Sequence, residues 1–342
     1  MRAEPVLPSP AILPAPAVRP VPALYAALDL GTNNCRLLMG APRPAAQGGG
    51  FRVVDSFSRI VRLGEGLAGS GALGEAAMAR TLDALYACAE RLHRRPVRRF
   101  AAVATEACRR AANGSAFLDR AAAETGIRPR IITAREEAEL AMESCAPLLG
   151  PEDRRAILFD IGGGSTEIAW IRNGARPELV GYISLPMGVV TLAERAGGTC
   201  FSAEGFAEVV DDVVERLAAF DRLHCISQEI RAGGVRLLGT SGTVTTLAGV
   251  VLDLPRYRRQ YVDGLRLDAG QADDALESLF AMGRDGLAAH PCVGPDRADF
   301  VLPGCAVYAA IRRLWRLPDL TVADRGLREG MLLRLIRQDR RG

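Results

Sequence analysis

Tyr25-Ala-Ala-Leu-Asp29-Leu-Gly31-Thr-Asn-Asn-Cys-Arg-Leu-Leu38 is echoed 131 positions later by Ala156-Ile-Leu-Phe-Asp160-Ile-Gly162-Gly-Gly-Ser-Thr-Glu-Ile-Ala169. Each copy is an apolar run, an aspartate, an apolar residue, a glycine-led polar turn and a second apolar run. That order predicts strand, tight turn and strand: a β-hairpin with a carboxylate at its mouth. Given twice, it predicts two related domains facing each other across a cleft. Outward from the first hairpin, strands are expected near 24–30, 35–40 and 51–57, a helix near 75–93, a strand at 99–104, a helix at 115–125 and a strand at 130–132. The second half repeats the order, with strands near 156–161, 166–172 and 177–184, a helix near 203–220, a strand at 234–239 and a helix from about 242. Further helices are expected at 271–282, 298–315 and 326–338. The fold class is α/β, a helix-covered mixed sheet duplicated.

The chain has 342 residues, enough for two domains that each bury a core. Residues 1–22 carry seven prolines, which would break a signal peptide, and read as a disordered tail. The first domain is expected to take 23–134 plus 324–342, the second 135–323. Pro147, Gly150 and Pro151 mark the link, and a helix starting after Thr133 should straddle it. The last helix is expected to pack back on the first domain.

Composition excludes several chemistries. No apolar stretch approaches the roughly 20 residues that span a bilayer. The eight cysteines are scattered without a C-x-x-C pair, as expected of buried free thiols in a reducing, cytoplasmic compartment. The three histidines lie far apart and none precedes an aspartate, which argues against zinc or a His-Asp hydrolase site. All 43 basic residues are arginines. A Walker A lysine and a lysine Schiff base are therefore excluded, and any cation gripping phosphate is a guanidinium or a metal. With a net charge of +3, no nucleic-acid partner is expected. Arginine clusters at 91–99 and 256–259 could guide a polyanion or simply be solvated faces.

Phe159-Asp160-Ile-Gly162-Gly163-Gly164-Ser165-Thr166-Glu167 is the richest motif. Three glycines after a buried strand let backbone N–H groups form a nest for an anion. The segment that follows alternates like a strand, so this is not a dinucleotide fingerprint. Asp160 and Glu167 flank the nest and suit Mg²⁺, which prefers oxygen ligands. Asp29, at the same place in the first copy, is a third candidate ligand. Gly31, Thr32 and Asn33 offer contacts to a second side of the same phosphate. Gly239-Thr-Ser241-Gly242-Thr243 ends a strand and opens a helix, where amides and hydroxyls bind anions; simple capping is the alternative. In Thr133-Ala-Arg-Glu136-Glu137, the first and fourth residues form a capping box. Glu137, turned about 100° away, is free to face the cleft as a general base on water, or to be a solvated surface residue. After the strand at 99–104, Arg109 or Arg110 could reach the cleft as a phosphate clamp.

Together these segments resemble the Ppx/GppA family of exopolyphosphatases and guanosine pentaphosphate phosphohydrolases, within the actin–hexokinase–Hsp70 superfamily of ribonuclease H-like (actin-like ATPase) domains. Six motifs, from Asp29-Leu-Gly-Thr-Asn33 to Gly326-Leu-Arg-Glu-Gly330, occur in family order between about 24 and 338. The resemblance implies a phosphoanhydride hydrolase using Mg²⁺ or another divalent cation. Glu137 falls at the catalytic-glutamate position, Asp160 and Glu167 at metal and water-positioning sites, and Arg109 on a phosphate-binding arginine. Inorganic polyphosphate is the first expected substrate, with pppGpp or a nucleoside triphosphate as alternatives and a homodimer by analogy. The family's G-S-N-S is here Gly31-Thr-Asn33-Asn34, Glu106 stands where a small or polar residue is usual, and the chain resembles the short form. More distant readings are a sugar or carboxylate kinase and a nucleotide-gated scaffold.

Overall fold

The computed structural model describes residues 23–44 and 49–340; the proline-rich stretch 1–22 lies outside the described residues. The first sheet is built from β1 (Tyr25–Leu30), β2 (Asn34–Pro42), β3 (Phe51–Ile60), β4 (Arg99–Ala104) and β5 (Arg130–Ile131). Its spatial order is β3-β2-β1-β4-β5, with β1 antiparallel to β2 and parallel to β4. Helices α1 (Leu67–Ser70), α2 (Glu75–Arg94), α3 (Glu106–Arg110) and α4 (Gly114–Thr125) accompany it. After α5 (Ala134–Cys145), the second sheet uses β6 (Arg155–Ile161), β7 (Thr166–Arg172), β8 (Glu178–Leu185) and β9 (Val235–Thr240), with α6 (Val189–Ala196), α7 (Ala203–His224) and α8 (Ile226–Ala232). The chain then runs through α9 (Gly242–Val251), α10 (Arg259–Val262), β10 (Arg266–Asp268), α11 (Ala269–Ala281), α12 (Gly283–Ala289), α13 (Ala298–Leu314), β11 (Asp319–Ala323) and α14 (Leu327–Asp339). The order β8-β7-β6-β9-β11 repeats that of the first sheet, with β10 added antiparallel at the edge.

The central strands are apolar on both faces because both are covered. Ala26, Leu28 and Leu30 of β1 pack with α2 and α4, while Tyr25 and Ala27 meet Leu327, Met331, Leu332 and Ile336 of α14. Burying such side chains contributes about 1.5–3 kcal/mol each, which ties the C-terminal helix to the first sheet. In β6, Ile157, Phe159 and Ile161 face α7 and α13, whereas Ala156 and Leu158 face Ala138, Ala141 and Met142 of α5. Side chains alternate along a strand, so Asp29 and Asp160 project on the faces covered by α14 and α5. Those helices cross in backbone contact: a Cβ on Gly330 would lie 2.0 Å from the Leu140 carbonyl oxygen.

Two local expectations are corrected. Thr133 Oγ1 does accept from the Glu136 N–H at 3.1 Å, but the Glu136 carboxylate binds Arg130 (2.8 Å) instead of closing the capping box. The arginine is close and charged, so it outcompetes a neutral backbone donor. Seven cysteines are buried as free thiols, but Cys225 is exposed. It forms the junction of α7 and α8 at φ 52°, a corner on the surface. No described helix is long and apolar enough to cross a membrane.

Candidate active site

The two hairpin turns meet at a cavity of about 470 Å³ between the sheets. Each turn is held from behind by its carbonyls. In the first, the Thr32 oxygen accepts from Gly64 N–H (2.9 Å), and the Asn33 oxygen accepts from Val61 (2.9 Å) and Arg62 (3.1 Å). In the second, the start of α6 does the same work: Val189 N–H donates to Gly162 O and Val190 N–H to Gly163 O, both at 2.9 Å, and Thr191 Oγ1 donates to Gly164 O at 3.2 Å. With the carbonyls anchored outward, the N–H groups of Thr32, Asn33, Gly163 and Gly164 stand at the cavity wall without a protein acceptor among the described residues. This is the backbone arrangement that binds anions. The turns touch tip to tip. A Cβ on Gly163 would sit 3.2 Å from Thr32 Cβ and from Asn33 Cβ, and one on Gly164 only 2.6 Å from Thr32 Oγ1.

Asp29, Gly31, Thr32, Asn33, Glu137, Asp160, Gly162, Gly163, Gly164, Ser165, Ser241, Gly242 and Thr243 all line this one cavity, although they are spread over more than 200 positions of sequence. Ser241 caps α9 by accepting from Val244 N–H at 3.4 Å, and its φ of 146° turns the strand end into the helix, whose N-terminus opens on the cavity. Two anticipated residues sit elsewhere. Glu167, across the β6–β7 ladder from Asp160, is buried behind the wall, and its Oε1 accepts from Ser165 Oγ (2.5 Å) and Ser184 Oγ (2.8 Å). Arg109 does not line the cavity. It donates to Ile132 O (2.8 Å), Glu106 Oε2 (2.6 Å) and Glu137 Oε2 (3.4 Å), while Arg110 lies at the surface.

Sequence reasoning missed three cations. Arg36 and Arg297 line the cavity and Arg328 lies near Asp29; none forms an ion pair among the described residues. Arg297 is held by backbone alone, donating Nε–H to Val293 O at 3.1 Å and Nη2–H to Cys292 O. Burial pushes the proton affinities of Arg297 and Arg328 down, as for cations awaiting an anion. For Arg36 a signal existed. It occupies the position, 131 residues earlier, that Glu167 holds in the second copy, and it pairs across the ladder with Asp29 as Glu167 does with Asp160.

The carboxylates respond to the same burial. Asp160 is pushed up to about 7 by desolvation and by Glu167, with Arg36 opposing. Glu137 is raised well above the usual range by burial and then Glu167, against Arg109. Asp29 and Glu167 are also raised by burial. A divalent cation fits this donor set. It would relieve the crowding of carboxylates, and Asn33 Oδ1 is buried without a hydrogen-bond partner at the same wall. Among the described residues no three Asp, Glu, His or Cys side chains form a ready-made metal cage. Asp29, Asp160 and Glu167 therefore do not enclose an ion by themselves. Mg²⁺ commonly takes one or two carboxylates and completes its shell with water and substrate phosphate.

Two helix-covered mixed sheets thus meet turn against turn around one cavity, with backbone N–H groups, carboxylates and arginines in its wall, an arrangement suited to a phosphorylated ligand and a divalent cation. The family model of the Ppx/GppA phosphatases matches residues 44–339, beginning just past the first hairpin. Over 320 residues the chain is 30% identical to Exopolyphosphatase 2 of Mycobacterium tuberculosis, spanning 91% of this chain and 98% of the relative. The Ppx/GppA family member of Aquifex aeolicus superposes with a TM-score of 0.75 at 27% identity, over 93% of this chain and 98% of that one. An exopolyphosphatase from Cytophaga hutchinsonii shares the fold, with a TM-score of 0.80 at 24% identity over 92% and 98% of the two chains. The chain belongs to the Ppx/GppA phosphatase family, and it is a hydrolase of phosphoanhydride bonds.

Proposed function

We propose that this cavity releases terminal orthophosphate from inorganic polyphosphate, with Mg²⁺ or another divalent cation bound. The observation that carries the reading is the pair of carbonyl-anchored turns lining one cavity with Glu137, their Thr32, Asn33, Gly163 and Gly164 N–H groups without an acceptor among the described residues. The name of the Mycobacterium tuberculosis relative supports the substrate. Asp160 is the first ligand expected for the cation, with Asp29 and Glu167 flanking it, and the bound ion would neutralise charge on the phosphoryl oxygens. Thr32, Asn33, Gly163 and Gly164 orient the terminal phosphate by backbone N–H groups, while Gly31, Gly162, Ser165 and Ser241-Gly242-Thr243 complete the wall. Arg36 and Arg297 face the adjoining phosphates, and Arg109 steadies Glu137. Glu137 takes a proton from water in line with the scissile bond; its raised proton affinity makes it a better base. Transfer of this kind depends on positioning and charge stabilisation more than on covalent chemistry.

A second reading, hydrolysis of pppGpp or of a nucleoside triphosphate, is favoured by one observation: Ile60, Phe300, Val301 and Leu327 give the cavity lining apolar side chains against which a base could lie. Phosphate release measured from polyphosphate, pppGpp and ATP at equal concentration decides. Preference for polyphosphate supports the first reading, and preference for pppGpp or ATP replaces it with the second. The division into 23–134 plus 324–342 and 135–323 belongs to the same proposal, supported by α14 lying on the first sheet and α5 on the second. So do a cytoplasmic location, which suits the free thiols, and a homodimer.

A further inference from the structure

The guanidinium of Arg109 is already occupied by a carboxylate of its own helix. We propose that Glu106 is a positioning residue that stands in for a substrate phosphate oxygen on Arg109. It holds the guanidinium beside Glu137 while the cavity is empty and yields it when a phosphoryl group arrives. This inference rests on the reading of the cavity as a phosphate site.

Three observations carry it. Arg109 Nη1 is spent on Ile132 O (2.8 Å) and Glu137 (3.4 Å), and its Nη2 donates to Glu106 Oε2 at 2.6 Å, the shortest of its contacts. Glu106 is itself part of the cavity wall, only 9% exposed, with its Cγ 3.0 Å from where a Cβ on Gly164 would be. A phosphate seated on the glycine turn therefore lies beside Glu106, whose carboxylate holds Arg109. Finally, the displaced carboxylate has somewhere to go. Its Oε1 is already 3.7 Å from Nε of Arg110, one residue further along α3 and open to solvent. On a short helix the i,i+3 and i,i+4 partners lie side by side, so a side-chain rotation exchanges one arginine for the other.

An internal competitor of this kind lowers the affinity for every phosphate, including the orthophosphate product, and so favours release. The test is the binding of inorganic phosphate, measured by calorimetry in the presence of Mg²⁺, to wild type, Glu106→Gln, Arg109→Ala and the double variant. Glutamine keeps the shape and loses the charge. Removing a charge-assisted competitor should tighten phosphate binding by about tenfold, and KM for polyphosphate should fall without a rise in kcat. In the Arg109→Ala background the gain should vanish, because Glu106 acts through Arg109. Unchanged or weaker phosphate binding in Glu106→Gln overturns the proposal. An equal gain without Arg109 overturns it too, since general charge relief would then explain the effect. Glu106→Ser, which removes reach as well as charge, repeats the measurement should the glutamine variant fold poorly. Wild-type turnover of polyphosphate in the same preparation separates the two ideas. No release from wild type defeats the reading of the cavity, whereas normal release with unaltered Glu106→Gln affinity defeats only the role of Glu106.

Discussion

Replacing Glu137 by glutamine changes one oxygen of a side chain that is 14% exposed and aimed into the cavity. The amide oxygen can still accept from Arg109 Nη1, now at 3.4 Å, so neither α5 nor the arginine loses its place. What disappears is the basic oxygen. Loss of a general base costs about 10²–10⁴ in rate, or about 3–5 kcal/mol of transition-state stabilisation. Binding should move the other way. Asp29, Asp160 and Glu106 line the same cavity, and one fewer negative charge there helps a polyanion enter. The expected result is a fall in kcat by about 10²–10⁴ with KM equal or lower, read as orthophosphate released per enzyme in single- and multiple-turnover assays. The pH profile adds a second check. A base must be unprotonated to act, so the wild-type rate should climb with pH as Glu137 loses its proton; without a cation, burial and Glu167 raise its proton affinity, and a bound cation would lower it again. The glutamine variant should lack that limb. A kcat within about threefold of wild type would refute the assignment, being far short of the penalty for losing a base.

In metal-free protein, Asp160 shifts from its ordinary 3.8 to about 7 on folding, so its contribution to stability is present below pH 4 and is lost as pH rises through 7. Asp160→Asn should flatten that decline by about 3 kcal/mol between pH 5 and pH 8, seen in urea melts with a chelator at the two pH values; parallel declines in the two proteins would contradict the shift. Gly164→Ala places a Cβ 2.6 Å from Thr32 Oγ1, and overpacking of this kind costs about 1–3 kcal/mol. The turns should be pried apart, with turnover falling at least about tenfold while circular dichroism stays native; full activity would show that they need not touch. Arg36→Met removes a cation that lines the cavity, and should weaken polyphosphate binding by about 10–100-fold in calorimetry. An unchanged affinity would move the phosphate away from Arg36.

Much of the fold was legible because the duplicated hairpins and long amphipathic helices carry strong local periods. Both sheets were expected strand by strand except for β10 and β11. β11 is a five-residue stretch, Asp319–Ala323, with only three apolar residues, and it becomes a strand with β9 parallel beside it; β10 is shorter still. Helix α6 escaped for a related reason: its first turn is fixed by the carbonyls of the distant glycine turn. At the site, the glycines, Asp29, Asp160 and Glu137 announce themselves by motif. Arg297 does not, since its place depends on two backbone carbonyls in an irregular segment. Arg109 was readable as a nearby cation, but its capture by Glu106 requires knowing that α3 exists.

If the cavity takes a polyanion and holds a base, as proposed, the paired hairpins account for both. A faithful copy would place the same residue beside both aspartates. Two arginines there would hold phosphate firmly, but Asp160 and Glu137 would lose the neighbouring carboxylate that, after burial, does most to raise their proton affinities. Two glutamates would keep the carboxylates basic and repel the substrate. The chain instead carries Arg36 in the first copy, where it lowers the proton affinities of Asp29 and Asp160, and Glu167 in the second, where it raises those of Asp160 and Glu137. On the proposed reading, divergence at a single ladder position would give one half of the cleft to the anion and the other to the water.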